Sequence, residues 1–208
     1  QAYAMRATDA EATIAMTREL FRSGDFSDLT VTVEGAALKL HKCVLNSCDY
    51  FKGMLSSQCQ EAATGEVELK VAESSSAAAT LLALEWIYTH DVEIDGESVM
   101  EVLATADKLQ LQTLKTQCVT YLEQHVCASN ACTILRASQQ LGFSKLEEQC
   151  QEFIVQNSEA VFQGEGVRHL PKDLLLSMMQ GDELDVEEEA VFDAVLEWCE
   201  TNKGQGWS

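Results

Sequence analysis

Proline is nearly absent from these 208 residues, occurring once, at Pro171. With so few imino acids to interrupt a helix, a helix-rich chain is expected. Basic residues are also scarce. Fourteen Lys+Arg stand against 34 Asp+Glu, a net charge of -20, which repels phosphate backbones and anionic lipid surfaces. Neither nucleic acid nor a membrane is therefore an expected partner; a basic partner, or plain solubility, is a better match. The sequence shows no apolar run long enough to cross a bilayer and no secretory pattern, so an intracellular setting, cytoplasmic or nuclear, is expected. It also has no G-x-S-x-G, no glycine loop that would cradle a phosphate, and no paired histidines at ligand spacing. We expect no enzyme, no catalytic residue, no metal and no cofactor.

Apolar residues make up 46% and charged residues 23% of the chain, an ordinary balance for a folded domain with a sizeable core. Eight cysteines lie at 43, 48, 59, 118, 127, 132, 150 and 199. They fall within apolar-periodic segments rather than in the regular framework of a small secreted domain, which again suggests a reducing compartment.

The first third is mixed in character. "TDAEATIAMTRELFRSGDF" opens with a Thr8…Glu11 capping box, sets Ile14, Leu20 and Phe21 on one side of a helix, and ends at Gly24. "LTVTVEGAALKL" alternates about Glu34-Gly35, the pattern of a hairpin. "HKCVLNSCDYFKGML" reads as one or two short helices, and "GEVELKV" as a further strand.

From about residue 74 the pattern is almost wholly helical. "SSSAAATLLALEWIYTH" is apolar nearly all round and predicts a central buried helix. "DVEIDGE" reads as a short strand and turn, and Ser98 with Glu101 as a second capping box. Leu111, Leu114, Cys118, Tyr121/Leu122 and His125 share one helical face. Helix pairs follow, with a third box at Ser144…Glu147 after Gly142, and Val191, Ala194/Val195 and Trp198 aligned on the last helix. A mostly α chain results, with a small α+β unit over 9–126 and helical hairpins over 127–208.

Three clusters invite a sharper reading. His41, Cys43 and Cys48 lie within eight positions, but H-x-C-x4-C matches no common zinc pattern and no second pair follows, so they are read as packing residues. Asp91, Glu93, Asp95 and Gly96 fall at EF-hand positions, yet Val102 stands where the bidentate glutamate belongs. A reactive thiol needs a nearby cation; Cys43 beside Lys42 and Cys118 after Lys115 are the candidates.

"GDFSDLTVTVEG", "LHKCVLNSCDYFKGML", "VELKV", "WIYTHDVEI" and "VMEVLATADKLQLQTLKTQC" together resemble the BTB/POZ domain. "FSKLEEQCQEFIVQN", "LPKDLLLSMMQGDELDV" and "EEAVFDAVLEWCE" resemble the BACK domain that follows it in Kelch-like proteins. The resemblance implies a homodimer with Ile14, Leu20, Phe21 and Leu29 at its interface and Asp28 with Lys42 as an acid–base pair in the dimer pocket. It also implies an adaptor that brings cullin-3 to a ubiquitin ligase, with the contact at Met54, Leu55 and the hydrophobic-x-Glu motif Cys59-Gln60-Glu61. On that resemblance the BACK unit is expected to be truncated, with the ubiquitination substrate held by a domain outside these residues. Cys59 takes the place of a larger apolar anchor, which keeps a second reading open: an oligomerisation scaffold that does not bind cullin-3.

Overall fold

The computed structural model describes residues 9–56, 63–72, 74–180 and 187–203. The chain divides into two compact units, Gln1–Cys118 and Val119–Ser208.

The first unit opens with α1, Ala10–Ser23. Asp9 caps it, its Oδ1 accepting the Ala12 N–H at 3.1 Å. The expected Thr8…Glu11 box has its threonine outside the described residues. Gly24 closes the helix in the left-handed region (φ 66°), where its amide donates to Leu20 O. A Cβ at this glycine would stand 2.6 Å from Lys39 Cβ, so both the backbone conformation and the close approach of β2 require it.

The hairpin forms as the alternation predicts. β1, Leu29–Val33, pairs antiparallel with β2, Ala36–Leu40, through a two-residue turn with positive φ at Glu34 (46°) and Gly35 (84°), the geometry that matches strand twist. β3, Glu66–Glu68, joins the other side of β1 in parallel register, giving the order β2-β1-β3. Leu29, Val31, Val33, Leu40 and Val67 turn inward, and Leu69 follows them into the core.

Two short helices, α2 (Lys42–Leu45) and α3 (Asp49–Met54), bury Leu45 and Phe51, both at 0% exposure. α4, Ala77–Thr89, buries most of its surface, including Leu84, Trp86, Ile87 and Tyr88, and leaves one face on which Leu81 is exposed and Leu82 and Glu85 are half-buried. α5, Val99–Lys108, adds Val102 and Leu103.

Two local expectations fail in this unit. Residues 91–97 form no strand: the Asp91 carbonyl accepts instead from Arg18 Nη2 and Thr89 Oγ1. The Ser98…Glu101 box does not close either. Asp95 Oδ1 already accepts the Ser98 N–H at 2.9 Å and draws the Ser98 hydroxyl to itself at 2.7 Å. Glu101 reaches Ser76 at the start of α4, so it braces a neighbouring helix rather than its own.

α6, Gln112–Gln124, buries Leu114, Cys118 and Leu122, while His125 beyond its end stays exposed and stacks on Tyr121. In the second unit α7 (Ala131–Leu141) and α8 (Ser144–Gln156) form a hairpin about Gly142, at φ 74°. Ile134 and Leu135 are buried from one helix and Leu146 and Ile154 from the other. Ser144 lies inside α8 and Phe143 stands at its cap, so the third box also fails; Glu147 instead accepts from Gln139 and Gln151. After α9 (Ser158–Phe162) and a 3-10 turn (Glu165–His169) come α10 (Lys172–Gln180) and α11 (Glu188–Thr201). Trp198 anchors α11 by donating from Nε1 to Leu170 O at 2.8 Å, and Ala194 is buried on the same face.

Candidate interaction surfaces

α1 carries Ile14, Met16, Leu20 and Phe21 yet contains no buried residue; Met16 is 61% exposed. A polar cluster helps hold the helix to its own unit. Arg18 Nε donates to Glu85 Oε1 at 2.7 Å and Nη2 to Asp91 Oδ2 at 3.0 Å, and these carboxylates raise the guanidinium pKa. Phe21 adds a tilted ring contact with Tyr88 at 5.2 Å. Of the expected dimer residues, Ile14, Leu20 and Phe21 are half-buried on this helix. Leu29 is not at a surface: at 2% exposure its side chain belongs to the sheet core of its own chain, because it starts the inward-facing set of β1.

Asp28 and Lys42 are brought together through the backbone. The Lys42 N–H donates to Asp28 Oδ1 at 2.7 Å, so the carboxylate serves the first turn of α2 while itself exposed. His41, just before, is buried and fully engaged. Its Nε2 lies 2.7 Å from Asp25 O, which can only accept, so Nε2 carries the proton; Nδ1 then accepts from the Tyr88 hydroxyl at 3.0 Å. The Tyr88 oxygen in turn accepts the His41 N–H at 2.8 Å. Burial pushes the Tyr88 phenol up to about 12.

Met54 and Leu55, at the end of α3, are half-buried. Cys59, Gln60 and Glu61 lie outside the described residues. Among the cysteines, Cys43 and Cys127 are exposed, while burial raises the Cys118, Cys132 and Cys150 thiols to about 11, 12 and 11. Cys118 is therefore no reactive thiol, because desolvation disfavours its thiolate. Two acids of the EF-hand-like stretch are otherwise employed: Asp91 by Arg18, and Asp95 by the Ser98 hydroxyl, the Ser98 amide and the Glu97 amide, whose hydrogen bonds lower its pKa.

Residues 17–126 match the BTB/POZ domain family and residues 131–207 match BACK, described as "BTB And C-terminal Kelch". This chain is a BTB/POZ–BACK protein of the Kelch-like type. It is 31% identical over 191 residues to Kelch-like protein 24 of Homo sapiens, covering 91% of this chain and 31% of that protein. Kelch-like protein 41 of Homo sapiens is 29% identical over 188 residues, covering 89% of this chain and 30% of the relative. Kelch-like protein 40 of Xenopus laevis is 26% identical over 188 residues, with the same coverage of each chain. The chain thus spans about a third of the length of the curated relatives it matches. The BTB–BACK order is as the sequence resemblance implied, and it places the chain among protein-interaction modules. No helix among the described residues is long and apolar enough to cross a membrane.

Two features of the BTB unit escape sequence reading. The Arg18–Glu85–Asp91 cluster joins residues far apart in the chain, with no local pattern to mark it. Phe26, 94% exposed, does leave a signal: an aromatic inside "GDFSD", where turn residues surround it.

Proposed function

We propose that this BTB–BACK chain is a homodimeric substrate adaptor that recruits cullin-3 to a RING-type ubiquitin ligase inside the cell. The observation that carries the reading is the match to BTB and BACK in that order, across residues 17–126 and 131–207. Self-association would use α1, whose Ile14, Leu20 and Phe21 are left half-buried by their own chain, together with Asp28 and Lys42, which are joined by the Lys42 N–H to Asp28 Oδ1 bond. Cullin-3 would be met by Met54 and Leu55 at the end of α3 and by Cys59, Gln60 and Glu61 beyond it. The ubiquitination substrate would be held by a part of the protein outside these residues, since the relatives are about three times as long.

Titration calorimetry of the 208-residue chain against the cullin-3 N-terminal domain tests the recruitment. Saturable binding supports it; no heat at high micromolar concentrations sinks it. Cys59 favours a second reading, a BTB–BACK scaffold that oligomerises without cullin-3. A thiol in place of a larger apolar anchor forfeits roughly 1–2 kcal/mol of apolar burial. A Cys59→Leu variant that binds cullin-3 where the parent does not would establish the scaffold reading for the natural sequence.

A further inference from the structure

α11 is apolar on two sides. The inner side has partners in its own unit: Ala194 is buried, Val191 is half-buried, and Trp198 donates to Leu170 O at 2.8 Å. The outer side carries a second row, in which Phe192 is 63% exposed, Leu196 is 48% exposed and Cys199 is half-buried. Spacings of four and three hold these side chains in one stripe. A helix on the surface of a domain needs one apolar face, with polar residues opposite it. Here an aromatic ring and a leucine stand on the solvent side, which marks a surface where another element docks.

One edge of that stripe is acidic. Glu189 and Asp193 precede Phe192 and Leu196 by three positions each, which sets them along the neighbouring row. The helix contains no lysine or arginine. Glu197 and Glu200 are already matched, by Arg168 at 3.4 Å and Lys203 at 3.8 Å. Glu189 and Asp193 are exposed, and no described residue forms an ion pair with either. What stays unmatched on this side is an apolar row with two carboxylates beside it.

We propose that the outer stripe of α11 is a docking site for an amphipathic helix of another protein. That helix would carry apolar residues at spacings of three and four, and Lys or Arg along the edge that meets Glu189 and Asp193. The backbone and the charge select this occupant. The N–H and C=O groups within α11 are spent on the helix itself, so a strand has no edge to join. A segment laid along the stripe must satisfy its own backbone, as a helix does. A second copy of α11 is disfavoured, because antiparallel pairing about a two-fold axis brings both acidic edges to the same side. A basic helix turns the same carboxylates into attraction, and the net charge of -20 draws it in. The site uses none of the residues assigned above to self-association or to cullin-3.

Fluorescence anisotropy tests this with a labelled peptide of about four helical turns, made of leucine and lysine alone with its leucines at helical spacing. Titrated with the 208-residue chain, it should bind with a Kd of about 10–100 µM. Phe192→Gln combined with Leu196→Gln should weaken binding at least about tenfold, as should shuffling the peptide out of helical register at constant composition. Glu189→Gln combined with Asp193→Asn should weaken it at least about threefold at low salt. Equal binding by the shuffled peptide or by the Phe192→Gln/Leu196→Gln chain overturns the proposal, because the peptide then answers to net charge or to another surface. No binding at about 500 µM overturns it too. A photo-crosslinking phenylalanine analogue at position 192 identifies the occupant without relying on those variants. A product carrying the peptide supports the site. A product joining two copies of the chain assigns the face to self-association, and a crosslink within one chain, in this or a longer form of the protein, assigns it to the protein's own residues; either overturns the proposal.

Discussion

Replacing Tyr88 by phenylalanine removes one oxygen atom and tests the arrangement around His41 quantitatively. That oxygen accepts the His41 N–H at 2.8 Å and donates to His41 Nδ1 at 3.0 Å, and both residues are buried. An orphaned buried amide costs about 1–3 kcal/mol, so a loss of about 2 kcal/mol at pH 7 is expected. With a urea slope of about 2 kcal/mol per molar, the midpoint falls by about 1 M. The effect also carries a pH signature. The phenol titrates at about 12 in the fold against an ordinary value of 10.0. Below pH 10 the tyrosine is protonated whether the chain is folded or not, and its full contribution is present. Between pH 10 and 12 the unfolded chain has lost the proton that the folded chain still holds, so the contribution drains away as pH rises. A shift of this size corresponds to about 3 kcal/mol, of which about half is lost by pH 11. Urea titrations of parent and Tyr88→Phe at pH 7 and pH 11, followed by circular dichroism, should therefore show a gap that narrows by about 1 kcal/mol. A gap absent at pH 7, or equally wide at both pH values, would refute the reasoning.

Two further outcomes follow from particular contacts. Gly24→Ala should lower stability by about 1–3 kcal/mol, more than Gly35→Ala, because both glycines have positive φ but only Gly24 would bring its Cβ against Lys39; equal melting temperatures for the two variants would contradict this. Under native conditions a maleimide should modify Cys43 and Cys127 first and leave Cys118, Cys132 and Cys150 untouched until urea is added, since burial both shields these thiols and raises their pKa. Labelling of Cys132 as fast as Cys43, read by peptide mass, would count against the packing described.

Periodicity carried the fold well where one face meets one core. The β1–β2 hairpin, the broad burial of α4 and the α7–α8 pair all follow from spacing that a reader can count. The capping boxes were less legible, for a physical reason. A serine or glutamate near a helix start has several amides and hydroxyls within reach, and tertiary neighbours settle the competition: Asp95 captures Ser98, and Ser76 captures Glu101. The expected strand at 91–97 was lost in the same way, to Arg18 and Thr89. Among the site residues, amphipathic spacing put Ile14, Leu20 and Phe21 on a helix face. It could not tell that Leu29 is turned into the core, because a strand residue beside a turn reads alike in either direction. Phe26 was missed because periodic patterns give no weight to a lone aromatic in a turn.

The sheet also bears on how the nascent chain avoids misassembly. β1 and β2 meet through a two-residue turn and can pair within microseconds. β3 must wait until α2 and α3 have been made and folded back, since it is their far end that brings Glu66 beside Thr30. During that interval the free edge of β1 presents the run Leu29–Val33, the kind of apolar strand that recruits another chain. The strand that finally covers it is three residues long, with exposed Glu66 and Glu68 on either side of buried Val67. On its β3 side the sheet of the described residues therefore ends in a short, negatively charged edge, which discourages the next strand from adding.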